Sequence, residues 1–383
     1  PLLGSWALFY DAERALHLSH PDPAVREKFW SRAGYVSFYL RHHLITVFLP
    51  VLMAIAQLGI LRLNPRLLDS AWVNVVALAG LIVLILFIPV LIPIVLGLKK
   101  MPPGRLRDRL EAAAQRLGVR YRQLYVWDTR GNLATAMVTG LVPRVRLIVF
   151  TDLLLQTLSE DEVEAVFGHE VGHVRHGHLV YYLAFLMLSV LTLGAAFRAV
   201  ELSVGRAFLP GNLFLILSVV AAGCYLFLVF GFVSRRCERQ ADVFGCKAVS
   251  CADPNCSGHK PETALVVRGK GLCRTGVGTF VRALERVEEM NGTANGTVGA
   301  ARRGLFGRVA GLLRIISVGL STWQHSTIAK RIAFLRTLAE DPNRERRFQW
   351  GLTALRWVLL LVLAGGVLGV AAWTGWRSLL EGI

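Results

Sequence analysis

Charge is what this sequence has least of. Only 18% of its 383 residues are Asp, Glu, Lys or Arg, against 54% hydrophobic, which excludes an ordinary soluble domain of this length. Five stretches carry no charged residue at all and approach the roughly 20 residues that cross a bilayer as a helix: Leu44 to Leu61, Ala71 to Leu98, Leu179 to Phe197, Leu213 to Val233, and Trp357 to Trp376. Polar residues are scarce inside them too, chiefly Gln57, Asn74, Ser189, Thr192 and Ser218, with none ionisable at neutral pH. A transporter needs polar or ionisable groups along its path, so this shortage argues against that class.

Acidic residues are scarce relative to basic ones, 26 against 43, giving a formal charge of +17. The excess does not gather on one amphipathic element, as a nucleic-acid surface would require, and nucleic acid is not expected as a partner. Instead it flanks the spans: Arg26, Lys28, Arg32 and Arg41 before the first, Lys99, Lys100, Arg105, Arg107 and Arg109 after the second, Arg235, Arg236 and Arg239 after the fourth, and Arg344, Arg346, Arg347 and Arg356 before the fifth. By the positive-inside rule the N-terminus and segments 99–178 and 234–356 face the cytoplasm, where the basic residues also meet anionic lipid. No internal repeat is visible, and the N-terminus, beginning at Pro1, resembles no signal peptide and reads as trimmed or partial.

The expected organisation is a cytoplasmic segment over 1–43, two spans within 44–98, a first soluble part over 99–178, a hairpin of spans over 179–233, a second soluble part over 234–356, and a last span with its tail over 357–383. Leu106 to Leu117 has helical periodicity and stops at Gly118; Leu124 to Trp127, Ala134 to Gly140 and Arg146 to Phe150 read as strands. Ser159-Glu-Asp-Glu162 is a capping box that starts a helix near Glu160. Further on, helices are expected over Arg235 to Val249 and Val277 to Met290, then a flexible Asn291-Gly-Thr-Ala-Asn-Gly-Thr linker, then a helical stretch after Thr327.

The helix after Ser159 carries Phe167-Gly-His-Glu-Val-Gly-His-Val-Arg-His-Gly-His-Leu179, and within it His169-Glu-Val-Gly-His173 is an HExxH pattern. Residues i and i+4 share a helix face, so both imidazoles reach one zinc while Glu170 points at a water beside it. A catalytic zinc takes a third protein ligand. A metzincin would place a histidine where Leu179 stands, so the third ligand is sought on another helix, and Cys237-Glu-Arg-Gln-Ala-Asp242 offers Glu238. The chain crosses the membrane twice between His173 and Glu238, an even number that returns it to the same side. The motif helix would run straight into the third span, and the fourth straight out into the Glu238 helix. Asp242, four residues beyond Glu238, is placed to accept a hydrogen bond from the far nitrogen of a metal-bound imidazole. The competing reading is that Glu238 and Asp242 only balance Arg235, Arg236 and Arg239 on a solvated face. His176 and His178 point partly away from the metal: His178 reads as a supporting residue at the lipid interface and His176 as solvated.

The chain resembles the integral-membrane zinc metallopeptidases of the gluzincin type, which include bacterial HtpX and the eukaryotic CAAX prenyl protease, with the mitochondrial protease Oma as a relative. The resemblance runs from about Tyr121 to Leu335 and is carried by Ala136-Met-Val-Thr-Gly140, Arg146 to Leu154, HEVGH with Gly177-His178, Ser234 to Asp242, and Ser321 to Ile332. It implies a mostly α membrane protein with a small α+β zincin-like catalytic domain and about five transmembrane helices. It also implies zinc on His169, His173 and Glu238, Glu170 as base, a substrate-pairing strand over Ala136, Met137, Val138, Thr139 and Gly140, and His325 against the developing oxyanion. The family usually has Asn-Ala where Thr135-Ala136 stands, and His-Pro where His325-Ser326 stands. The implied activity is hydrolysis of membrane-associated protein or peptide substrates at the cytoplasmic face, in a bacterial plasma membrane. The other readings are a non-proteolytic metal sensor or scaffold, and prenyl-peptide processing.

Six cysteines remain. Cys224 lies in a span and Cys237 beside Glu238, while Cys246, Cys251, Cys256 and Cys273 gather with His259. The run Cys-x4-Cys-x4-Cys-x2-His holds a second, structural zinc or is a set of free thiols capping a substrate loop, and would form disulfides only if the topology were inverted.

Overall fold

The fold was obtained as a computed structural model that describes residues 2–18, 29–44, 87–204, 211–251, 271–294 and 327–375, with isolated positions between 52 and 83 and between 253 and 259. Most of the first two expected spans falls outside the described residues. Helices α1 (Leu2–Leu18) and α2 (Arg32–His43) form an aromatic N-terminal pair, and α3 (Phe87–Leu96) is a short apolar helix at the end of the second expected span.

The sheet that frames the site has four strands in the order β1-β2-β4-β3. These are β1 (Lys99–Lys100), β2 (Gln123–Trp127), β3 (Ala136–Thr139) and β4 (Leu147–Thr151). β2 and β4 are parallel, with Leu124 opposite Ile148, and β3 lies antiparallel to β4, with Met137 opposite Val149. β4 is buried along its whole length and β3 is half-exposed throughout, as a central strand and an edge strand should be.

Between β1 and β2 runs α4 (Arg105–Leu117), ended by Gly118 at φ 66, and after β4 comes α5 (Asp152–Thr157). The motif helix α6 (Glu160–Arg175) begins at the expected capping box, with Ser159 and Glu162 bonded reciprocally. Its buried carboxylates are held from both sides: Glu164 by Arg109 and Arg116 of α4, Glu162 by Arg286 of α10 (Arg274–Ala294). Leu110, Leu124, Ile148, Phe150, Phe167 and Val171 pack α4, the sheet and α6 into one core.

The motif helix does not run straight into the third span. It ends at Arg175, Gly177 adopts φ 63, and α7 (His178–Val204) starts anew. A glycine in the left-handed region is a common helix stop, and here it redirects the chain between the site and the bilayer. The return path is continuous: α8 (Gly211–Tyr225), one π-helical turn over Leu226–Phe230, and α9 (Gly231–Ala248). The chain then passes through α10 to α11 (Ile328–Glu340) and α12 (Pro342–Thr374).

Three helices among the described residues are long and apolar enough to cross a membrane, His178–Phe197, Ile216–Ala248 and Asn343–Trp373, at the third, fourth and fifth expected positions. Their few polar groups tie helices together. Ser189 Oγ lies 3.1 Å from the Tyr225 hydroxyl of α8, and Thr192 Oγ1 donates to the Leu363 carbonyl of α12 at 3.0 Å. Such ties satisfy polar groups where lipid cannot.

α6 and α9 cross at a seam of small residues. A Cβ on Gly168 would sit 2.4 Å from Ala248 Cβ, one on Gly172 would lie 3.0 Å from Ala241 Cα, and one on Gly245 2.9 Å from the Ala165 carbonyl. The glycines let two backbones approach closely enough for His169 and His173 to reach a residue on α9. Replacing glycine by alanine inside a helix ordinarily stabilises by about 0.5–1 kcal/mol, whereas overpacking costs about 1–3 kcal/mol. Gly168→Ala is therefore expected to lower the thermal unfolding midpoint in detergent. Gly278→Ala, whose Cβ would meet only the Arg282 guanidinium at 3.5 Å, is expected to leave it unchanged or raise it; equal behaviour of the two would contradict a tight crossing.

Candidate metal centre and active site

The i,i+4 spacing on α6 turns both motif imidazoles toward α9, with His169 Nε2 and His173 Nε2 3.3 Å apart. Glu238, buried on α9, completes the group: its carboxylate oxygens lie 3.8 Å from His169 Nε2 and 3.6 Å from His173 Nε2. One ligand atom from each of the three residues fits within 4.8 Å of the others. Two imidazole nitrogens and one carboxylate oxygen that converge in this way are a donor set suited to zinc.

Around these three runs a ring of supporting contacts. Asp242 Oδ1 is 2.9 Å from His169 Nδ1, although the ring N–H does not point squarely at it. Asp242 is also held by Arg331 of α11, whose Nε donates to Oδ2 at 2.8 Å and whose Nη2 donates to Oδ1. Burial alone would lower the His169 imidazole, but Asp242, Glu238 and Glu170 outweigh it and hold its pKa above the ordinary value. The Arg331 guanidinium is in turn raised: burial opposes its charge, and Asp242, with Glu238 and Glu170, overcomes that cost. On the other side, His173 Nδ1 lies 3.0 Å from His178 Nδ1, and His178 Nε2 lies 2.9 Å from Gln240 Oε1 of α9. Gln240 donates onward to Gln349 of α12. Phe280 of α10 stacks on His169, with ring centroids 5.9 Å apart at 21°.

His176, expected in solvent, is half-buried instead, against His178 and edge-on to Phe244. Burial, with Arg356, Lys247 and Arg175 nearby, pushes its ring down to about 4. Arg356 also donates to the His176 carbonyl at 3.0 Å, so the end of the motif helix is covered by α12.

Glu170 lines a cavity of about 400 Å³ together with the three convergent residues. The opposite wall is β3, with Ala136, Met137 and Val138, and the mouth reaches Leu179 and Val180 at the start of α7, where both side chains are exposed. β3 is the last strand of the sheet, so the edge away from β4 carries no ladder partner among the described residues. Thr139 ends the strand, and Gly140, at φ 100, turns the chain; a Cβ there would lie 2.7 Å from the Val145 carbonyl. Arg146 closes the turn by donating to the Leu141 carbonyl at 2.8 Å and the Arg120 carbonyl at 2.9 Å.

The segment entering β3 is fixed by Asn291, a residue expected in a flexible linker. α10 extends to Ala294, and Asn291 on it accepts from Ala134 N at 3.1 Å and donates to the Ala134 carbonyl at 2.9 Å. Asn-Gly-Thr has a loop composition, and nothing in it signals that the helix continues through Asn291 or that its amide pairs with Ala134. Thr135 folds its hydroxyl onto the Ala136 carbonyl at 3.2 Å. His325 lies outside the described residues.

The cysteines divide differently from their order in the sequence. Cys251, Cys256, His259 and Cys273 come together, each offering one atom within 4.8 Å of the rest. Cys246 does not join them: it is fully buried on α9 in the core formed with Phe280, Leu284 and Leu335. Helical phase explains the difference, since Cys246 precedes the end of α9 and faces α10 and α11, whereas Cys251 follows it. All six cysteines are free thiols.

Comparison with known proteins returns related molecules. Residues 101–261, which hold HExxH, Glu238 and three of the clustered ligands, match the model described as Peptidase family M48. The chain is similar to a CAAX prenyl protease 1 homolog of Arabidopsis thaliana, 31% identical over 178 residues covering 43% of this chain and 42% of that protein. It is likewise similar to a protease HtpX homolog of Janthinobacterium sp. (strain Marseille), 30% identical over 158 residues covering 38% and 53%. These alignments span about half the length of the curated relatives. The crystal structure of S. mikatae Ste24p aligns with a TM-score of 0.51 at 18% identity, covering 79% of this chain and 65% of that one, a likeness of fold. The expected resemblance and the expected fold, a mostly helical membrane protein with a small mixed sheet, both hold.

Proposed function

We propose that the chain, carrying this Peptidase family M48 segment, is a membrane-embedded zinc metalloendopeptidase that hydrolyses peptide bonds of membrane or membrane-associated proteins. One observation supports this: His169, His173 and Glu238 converge within 4.8 Å beside Glu170, in a cavity whose far wall is a strand edge without a ladder partner among the described residues. Segments 99–178 and 234–356 form one catalytic unit, interrupted by the 179–233 hairpin. The basic clusters bordering the spans support a cytoplasmic placement of that unit, and the membrane proposed for it is a bacterial plasma membrane.

His169, His173 and Glu238 would hold zinc, which when bound would supply Lewis acidity toward a water and a substrate carbonyl. The protein does the rest. Asp242, itself held by Arg331, orients His169, while His178 and Gln240 orient His173. An extended peptide pairs its backbone with the free edge of β3, which brings a scissile bond alongside Glu170. Glu170 takes the proton from the attacking water and returns it to the leaving amine. The apolar mouth at Leu179 and Val180 suits substrates arriving from the bilayer surface.

A second reading, prenyl-peptide processing, is favoured by the similarity to proteins named CAAX prenyl protease 1. Purified in detergent with zinc, the chain is expected to cut unfolded casein. Cleavage confined to a farnesylated peptide ending in a CAAX sequence would favour the second reading, and cleavage of neither would overturn both.

A further inference from the structure

We propose that Cys251, Cys256, His259 and Cys273 bind a second, structural zinc that clamps the end of α9 to the start of α10. One atom from each lies within 4.8 Å of the others, close to the spacing a tetrahedral ion imposes. With Zn–S of about 2.3 Å and Zn–N of about 2.0–2.1 Å, neighbouring ligand atoms sit about 3.5–3.8 Å apart; Cys256 Sγ and His259 Nδ1 are 3.7 Å apart.

The surroundings are those of a metal site rather than of loose thiols. His259 Nε2 lies 3.1 Å from the Val249 carbonyl, a contact that places the ring proton on Nε2 and leaves the Nδ1 lone pair facing the sulfurs. Gly276 N donates to Cys273 Sγ at 3.2 Å, and Thr275 Oγ1 lies 3.1 Å from Cys256 Sγ. The first of these, an N–H donated to sulfur, stabilises a thiolate. Three thiolates and one imidazole select zinc over the hard cations, and no pair of these cysteines is joined as a disulfide.

The location gives the ion a task. Val249 and Ser250 end the helix that carries Glu238 and Asp242, and Ser250 Oγ accepts from Cys273 N at 3.2 Å. Cys273 immediately precedes the helix whose Phe280 stacks on His169. The clamp therefore fixes the angle between the two helices that back the candidate active site, while its ligands lie outside the cavity.

The test is zinc per full-length chain, measured by mass spectrometry after purification in mild detergent under reducing conditions. Wild type is expected to hold two equivalents, the His169→Ala/His173→Ala chain one, and that chain with Cys256→Ser and Cys273→Ser added none. Should the cysteine variant fail to fold, the His169→Ala/His173→Ala chain loaded with cobalt decides alone, because a thiolate-ligated ion shows an intense sulfur-to-cobalt absorption in the near ultraviolet. No retained metal in the double-histidine chain, a cobalt spectrum lacking that band, or a disulfide among Cys251, Cys256 and Cys273 under reducing conditions would overturn the proposal. None of these outcomes bears on whether His169 and His173 serve a protease.

Discussion

Glu170→Gln is expected to remove peptide cleavage while leaving the zinc in place. Losing a positioned general base costs roughly 100- to 10,000-fold in rate, and glutamine fills the same volume on α6 without accepting a proton. Glu170 faces the cavity but is not one of the three convergent residues, so metal content and thermal stability should match wild type. A fall in kcat with little change in KM is the signature of a group that acts in the transition state. Zinc lost in step with activity would make Glu170 a ligand or a structural residue, and unimpaired cleavage would remove it from the mechanism.

The second large effect is expected at Glu238. Glu238→Ala leaves two imidazoles where a catalytic zinc takes three protein ligands. Its affinity for zinc, measured by competition with a chelator, should fall by more than the roughly 10- to 100-fold lost when a supporting partner is removed. Activity at low free zinc should vanish with it, while the equivalent assigned to the cysteine group stays bound. Unchanged affinity would restore the plainer view in which Glu238 merely offsets Arg235, Arg236 and Arg239. Its burial, with both oxygens within 3.8 Å of the histidines, already argues against a solvated counter-charge.

Much of this arrangement could be read from the sequence because it depends on short-range spacing. The four-residue interval of His169 and His173 fixes a common face, Ser159 and Glu162 mark the start of their helix, and two charge-free runs bring Glu238 back to the same side. Where the reading stopped, the cause was distance along the chain. Nothing local to Asn291 signals its bonds to Ala134, 157 residues away, and nothing near Phe280 signals the ring of His169. Cys246 fits the spacing of a ligand run, yet the phase of α9 turns it into the core and Cys273 takes the fourth place. The break at Gly177 is different. Glycine after a helix whose last turn is basic is a stop signal, and Arg175-His-Gly177 carries it ahead of the hydrophobic run that follows.

The same contrast separates the glycines of the motif. In His169-Glu-Val-Gly-His173, Gly172 looks like a spacer between ligands. The crossing against Ala241 shows that it sets the interhelix distance and so the reach of both imidazoles toward Glu238. Packing at Gly168, Gly172 and Gly245 thus belongs to the chemistry as much as the ligands do, because a metal site displaced by a fraction of an ångström loses its geometry.

In the proposed mechanism one zinc, held by His169, His173 and Glu238, works with Glu170 to cut peptides. That mechanism is tested most directly by stripping the purified chain with a chelator, returning zinc in measured amounts, and following casein cleavage in wild type and Glu170→Gln. Stripped wild type is expected to be inactive, cleavage to return as zinc refills the histidine site, and Glu170→Gln to take up the same zinc yet stay inactive. Cleavage by the stripped protein, or recovery in Glu170→Gln equal to wild type, would contradict it.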